Sequence, residues 1–215
     1  MENLRNLFLA SGLLAGGISY AQDSTGLAGT PAQEIQITAS EPSSLLFNEW
    51  YTGAVKVKDG MVYDGVKFRY DTSRDQLEFK KGDAVYRTGE DVTGFTLPTG
   101  TALYNFRRGF PTIDGDSRQP FYQVIYDGNT KLVKRYSPQK NGTPVSEAGK
   151  LYVLKNEKLN PVSLKDRNSF LKLLTDERNK MNYVIRESQL AFDKDEDLAQ
   201  LLEEYDAYKA GRGGN

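Results

Sequence analysis

Neither cysteine nor histidine occurs anywhere in the 215 residues. Their absence excludes disulfides, Ser-His-Asp and Cys-His nucleophiles, His- or Cys-ligated zinc and copper sites, and an imidazole pH switch. A prevailing charge is missing too. Lys and Arg number 28 against 29 Asp and Glu, a net charge of −1, so no global field gathers nucleic acid or an acidic membrane surface. Much of the enzyme repertoire goes with cysteine and histidine, while carboxylate chemistry survives: glycoside hydrolysis needs only two acids. No spacing singles out a pair among the 29.

Long apolar runs are scarce. Residues 7–18 form one, behind a short polar start containing Arg5 and ahead of Ser19-Tyr20-Ala21. The run is shorter than the roughly 20 residues a membrane span needs and holds Gly12, Gly16 and Gly17. It reads as a secretory signal peptide over 1–21, cleaved after Ala21 to leave Gln22 first and no transmembrane span. No cysteine follows, so a lipoprotein anchor is excluded.

What is present organises itself around residues 50–87. Val66, Phe68 and Tyr70 alternate with Lys67 and Arg69, and Leu77 and Phe79 alternate with Gln76 and Glu78, the period of half-buried strands. Asp59-Gly60 and Asp64-Gly65 are hairpin-turn pairs. Strand patterns continue at 34–38, 92–97, 102–107, 121–126, 131–136 and 151–154, with Pro- and Gly-rich loops at 109–120 and 137–149. Beyond Pro161 the period changes to that of helices. Ser163 is the expected N-cap of a first helix carrying Leu164, Phe170, Leu171 and Leu174; a second over about 177–188 carries Met181, Val184 and Ile185. In the third, Leu198, Leu201, Leu202, Tyr205 and Tyr208 share one face.

The expected class is α+β: an antiparallel β-meander, as a sandwich or an open barrel or roll, followed by two or three C-terminal helices. Its divisions are a signal peptide at 1–21, a flexible lead-in at 22–45, a β domain at 46–160, a helical segment at 161–209 and a disordered tail at 210–215.

The tail pattern Phe170-Leu171, Leu190-Ala191-Phe192-Asp193, Glu196-Asp197-Leu198, Leu201-Leu202 and Tyr205-x-x-Tyr208 resembles the closing segment of small secreted proteins of the Bacteroidetes. The resemblance implies a β-rich front half and export to the periplasm or cell surface. That family has no established activity, so it transfers no functional residue.

Several constellations invite chemistry. Asp193, Asp195, Asp197 and Glu204 stand at positions 1, 3, 5 and 12 of a calcium loop, but Leu198 occupies the place of the required Gly, and an acid-rich helix start accounts for the acids. Asp114-Gly115-Asp116 offers two carboxylates, too few for calcium and ordinary in a turn. Trp50, Tyr51, Tyr63, Tyr86 and Tyr104, drawn from 13 Tyr, 10 Phe and 1 Trp, would line a platform for sugars or a peptide strand if they converged, whereas strand packing alone accounts for their abundance. Arg107-Arg108 would grip an anion at the entry to the 109–120 loop, or end a strand in solvent. Tyr-Gly hairpins around 51–65 recur only at Tyr126-Asp127-Gly128, too far away for a repeat. The residues therefore point to an exported, non-catalytic binding or envelope-interaction protein with an unknown partner, no cofactor and no metal. A carboxylate-based hydrolase and an apolar-ligand carrier are the alternatives.

Overall fold

The structure is a computed structural model and describes residues 35–37, 44–113, 119–138 and 149–211. The expected signal peptide, most of the expected lead-in, Asp114 to Asp116 and most of the expected tail lie outside these residues. Among the described residues an antiparallel sheet of eleven strands carries the fold. Its first five strands are β1 (Ile35–Ile37), β2 (Tyr51–Val57), β3 (Val62–Asp71), β4 (Gln76–Lys81) and β5 (Ala84–Arg87). Then come β6 (Val92–Pro98), β7 (Leu103–Arg107), β8 (Tyr122–Asp127), β9 (Lys131–Tyr136), β10 (Gly149–Lys155) and β11 (Lys158–Val162). Three helices follow: α1 (Arg167–Leu171), α2 (Arg178–Glu187) and α3 (Asp195–Lys209).

The order across the sheet is β1-β5-β4-β3-β2-β6-β7-β8-β9-β10-β11. It is a meander with two breaks: β1 pairs with the distant β5, and at one crossover β6 pairs with β2 instead of with β5. Register shows what this crossover demands. Arg87 lies opposite Glu78, and Glu78 opposite Arg69, one residue beyond the Phe68–Tyr51 pair, while Val92 lies opposite Val57 at the other end of β2. A flat sheet would separate Arg87 from Val92 by about 19 Å across four strand spacings and about 20 Å along the strands. Five Cα steps reach at most about 18 Å. The front half therefore has to curl.

Its interior is aromatic. Phe68, Tyr70, Leu77, Phe79, Phe95, Leu97, Phe106, Phe121 and Tyr136 are buried there together. Phe95 is the hub: it stacks on Phe106 at 4.5 Å and meets Phe68, Tyr70 and Phe121 edge-on or tilted at 5.0–5.6 Å. Such offset and edge contacts suit the ring quadrupoles and add to the area buried.

The rear half is covered on both faces, which explains why 131–136 and 151–154 carry so many apolar residues. Leu132, Leu151, Val153 and Val162 point toward the helices and pack with Phe170, Leu174, Met181, Ile185, Leu198, Leu201, Leu202 and Tyr205. Val133, Tyr152 and Leu159 point the other way and pack with Tyr122, Phe110 and Ile113. α3 is pinned by Asp206, whose carboxylate accepts from Thr130 N (2.9 Å), Thr130 Oγ1 (3.1 Å) and the Tyr126 hydroxyl (3.0 Å). A Cβ on Gly128 would run into the Tyr126 hydroxyl and an Asp206 carboxylate oxygen, so a larger residue in this hairpin has to displace the bonded pair that pins α3.

The α+β meander with C-terminal helices stands, with two local differences. Residues 158–162 form edge strand β11 instead of leading into a helix, with Pro161 opposite Tyr152. Proline suits an edge, where no partner asks for its missing N–H. Because that pairing holds the chain extended, the first helix starts later: its cap is Asp166, which accepts from Asn168 N and Ser169 N, and not Ser163. The stripe expected over 164–174 is also interrupted, for α1 gives way to a 3₁₀ segment (Lys172–Glu177) with Leu174 at φ −113°.

Candidate functional site

The β3–β4 turn is built by two aspartates. Asp71, fully buried, accepts from Ser73 N (2.9 Å), Ser73 Oγ (2.6 Å), Ser44 N (3.2 Å) and Arg74 Nη1 (2.9 Å). Burial alone would raise its carboxyl, but these donors outweigh burial and leave it below the ordinary value. Asp75 sits in the left-handed region at φ 58°, which Asp tolerates better than most residues. That conformation turns its carboxylate inward. Oδ1 accepts from the Tyr70 hydroxyl at 2.6 Å, Phe121 N lies 3.1 and 3.2 Å from the two oxygens, and Arg108 Nη2 reaches Oδ2 at 3.1 Å and the Asp75 carbonyl at 2.6 Å. The Arg108 guanidinium also lies 3.9 Å from the centre of the Phe121 ring. Burial pushes the Asp75 carboxyl up, against the pull of Tyr70, Arg108 and Arg135, and pushes the Tyr70 hydroxyl well above its usual range.

This knot forms one wall of a cleft of about 690 Å³ at the seam between the curled front half and the face of the rear sheet opposite the helices. Lys58, Glu90 and Thr93 line it from the front; Arg135, Lys150 and Tyr152 line it from β9 and β10. Lys150 lies directly opposite Arg135, so two cations share one face of neighbouring strands. Like charges placed this way destabilise a sheet. The volume falls within the range of small-ligand sites, and the rigid elements around it hold the polar groups in place. A second groove, about 470 Å³ and more open, runs over β2, β6, β7 and β8 beside Ala54, Gly94, Thr96, Asn105 and Val124.

The aromatic platform does not assemble. Tyr51 and Tyr104 close edge-on around Phe47, Tyr86 stacks on Phe79, Tyr63 packs on the front core, and Trp50 faces Arg69 and Lys80. The calcium-loop acids are in use elsewhere: Asp195 pairs with Lys134 at 2.8 Å, Asp197 accepts from Phe192 N at 2.7 Å, and Leu198 is fully buried. Asp195, Glu196 and Asp197 occupy the first turn of α3, where the dipole favours acids. Arg107 and Arg108 part company. Arg107 pairs with Asp127 at the surface, whereas Arg108 belongs to the cleft. Asp75, Arg135 and Lys150 carried no sequence signal, because the cleft draws on segments up to 94 residues apart, from Lys58 to Tyr152, and the curl alone unites them.

The chain matches no known protein family, no curated protein and no solved structure. Among the described residues no helix is long and apolar enough to cross a membrane.

Proposed function

We propose that this is an exported, non-catalytic binding protein of the cell envelope and that the seam cleft is its ligand site. The observation that carries the reading is the Asp75 knot. The buried carboxylate meets the Tyr70 hydroxyl, the Arg108 guanidinium and Phe121 N, so three donors hold it as a fixed part of the wall. Export rests on the run at residues 7–18 and on the tail's resemblance to secreted proteins of the Bacteroidetes. The apolar-carrier alternative needs a closed, empty barrel, whereas this sheet ends at β1 and β11 and its curl is filled by rings.

One observation favours the hydrolase as a second reading: Asp75, raised by burial, and Glu90 line the same cleft. Incubating the parent with oligosaccharides separates the two: a binding protein leaves them intact, while a hydrolase cleaves them and loses that turnover in Asp75→Asn.

The binding reading is tested by probing an array of neutral and acidic oligosaccharides and short peptides with labelled protein and with Gln119→Trp. Gln119 is exposed at the cleft, so the indole fills the site without touching the core. Signals that vanish in the variant support the reading; signals that persist unchanged sink it. For export, N-terminal sequencing of material from the native host should begin at Gln22.

A further inference from the structure

We propose that the outward face of the front half docks on an anionic lipid surface, taking the headgroups of an acidic bilayer through Lys56, Lys67 and Lys80. The face shares no residue with the seam cleft, so the proposal stands apart from the reading of that cleft.

Alternation decides what the face carries. Val55, Phe68, Phe79, Phe95 and Phe106 point into the aromatic core, so their neighbours along each strand point out. Lys67 and Lys80 stand one step beyond the Phe68–Phe79 pair on adjacent strands, Thr52 lies opposite Lys67, and Val62 lies opposite Lys56. Trp50 joins them just ahead of β2, with the Arg69 guanidinium 4.6 Å and Lys80 Nζ 5.1 Å from its ring centre. Thr52, Lys56, Val62, Lys67 and Lys80 are all exposed.

The lysines have no answering acid. Among the described residues the Lys56 and Lys67 side chains make no ion pair or hydrogen bond, and Lys80 meets only the Trp50 ring. Glu78, outward on β4, is buried between Arg69 at 2.8 Å and Arg87 at 3.7 Å. Asp64 accepts from Gly65 N at 2.9 Å, and Glu49 acts on the Tyr51 hydroxyl. Three ammonium groups on one face therefore complement an anionic surface.

Exposed apolar side chains select which anionic surface. Four large ones are exposed among the described residues, and Met61 (50%), Val62 (59%) and Leu103 (59%) lie on this face or on the turn leading into it. Leu103 is opposite Pro98, whose ring neighbours Gly53, whereas Val62 is opposite Lys56, so the two lie at opposite ends of β2, about 13 Å apart along the strand. They bracket the cations. A soluble polyanion gains from the lysines and nothing from Val62 or Leu103, while a bilayer takes ammonium groups at its headgroups and aliphatic side chains beneath them.

The test mixes the chain, as its native host processes it, with vesicles of phosphatidylglycerol and phosphatidylcholine or of phosphatidylcholine alone. Trp50 is the only tryptophan, so its emission reports from the face itself. A blue shift and co-sedimentation are expected with the acidic vesicles alone, both weakening as NaCl rises. Lys67→Gln and Lys80→Gln should each lower the partition coefficient about fivefold. Val62→Ser with Leu103→Ser should lower it several-fold, whereas Lys172→Gln, exposed on the helical side, should leave it unchanged. Every substituted side chain is exposed, so folding is not at risk. The proposal is overturned if acidic vesicles are not bound, if phosphatidylcholine alone is bound equally well, or if Lys172→Gln loses as much as Lys67→Gln. It is overturned too if dextran sulfate shifts the Trp50 emission as acidic vesicles do while the Val62→Ser, Leu103→Ser double variant binds vesicles like the parent; the face would then be a site for soluble polyanions.

Discussion

The front and rear halves of this sheet solve one problem by opposite means. At the rear, two sheet faces are covered from outside: helices lay Leu, Met, Val and Ile on one, and the β7–β8 connection lays Phe110 and Ile113 on the other. At the front no helix among the described residues covers the sheet, which bends over itself and fills the space with rings. Aliphatic side chains suffice where two surfaces meet closely. A curl leaves a wider interior, and Phe and Tyr, which bury about 150–250 Å² each, close it with few residues. The ligand cleft lies where the two solutions abut.

The largest effect should come from the hub of the front. Phe95→Ala removes a ring that contacts four others and should cost about 3–5 kcal/mol by chemical denaturation. If near-UV circular dichroism and the helical far-UV signal are lost together, the halves form one cooperative unit. If the helical signal outlasts the aromatic one, they are two units and the contrast is a domain boundary.

Leu201→Ala approaches the same question from the rear. Leu201 is fully buried against the sheet, and its truncation should cost about 2–5 kcal/mol in a single transition. Glu203, exposed on the other side of α3, should tolerate alanine within about 0.5 kcal/mol. Equal melting of both variants would show that α3 is not docked, and would sharpen interest in its apolar stripe as a partner surface.

Next in size is Asp206→Ala, which orphans the Thr130 amide, the Thr130 hydroxyl and the Tyr126 hydroxyl. About 2–3 kcal/mol should be lost, because buried donors without partners carry their desolvation cost. The Tyr126 hydroxyl, pushed up to about 12 by burial and by the Asp206 bond, should ionise at lower pH in the variant, a shift visible in its ultraviolet titration.

The smallest effect concerns the site wall. In the folded state the Asp71 carboxyl lies below its ordinary value; the unfolded value is about 3.9. A depressed folded value means stabilisation that is whole above pH ~4 and fades as pH falls toward the folded value. Asp71→Asn should therefore be about 1–2 kcal/mol less stable than the parent at pH 6, with the gap closing below pH ~4. A gap that widened in acid would mean the turn is not held by this carboxylate.

The elements that could be read from sequence are those whose information is local. Val66, Phe68 and Tyr70 alternate as a strand must, and Leu198, Leu201, Leu202 and Tyr205 repeat as a helix face must. Ser163 reads as a cap because a serine stands just ahead of the helical period, yet the pairing of residues 158–162 with β10 decides the matter from outside the window. The cleft was legible in only one residue, Arg108, and there with Arg107 as its equal. Asp75 reads as a turn aspartate and Lys150 as the end of a loop; their roles arise from the crossover between β5 and β6, which no periodicity encodes.

That crossover also sets a schedule. The hairpins of residues 51–87 can zip one after another from neighbours close in the chain, but β2 keeps a bare edge until β6 arrives, since the partner of Ala54 is Thr96, 42 residues away. Nothing nearer in the chain can fill that edge. During synthesis at about 5–20 residues per second, the stretch from Arg87 to Pro98 takes about a second to appear. Through that second the strand that will become the middle of the sheet is an open template, and a neighbouring nascent chain that offers its own β6 there would produce an exchanged pair of molecules instead of a closed one.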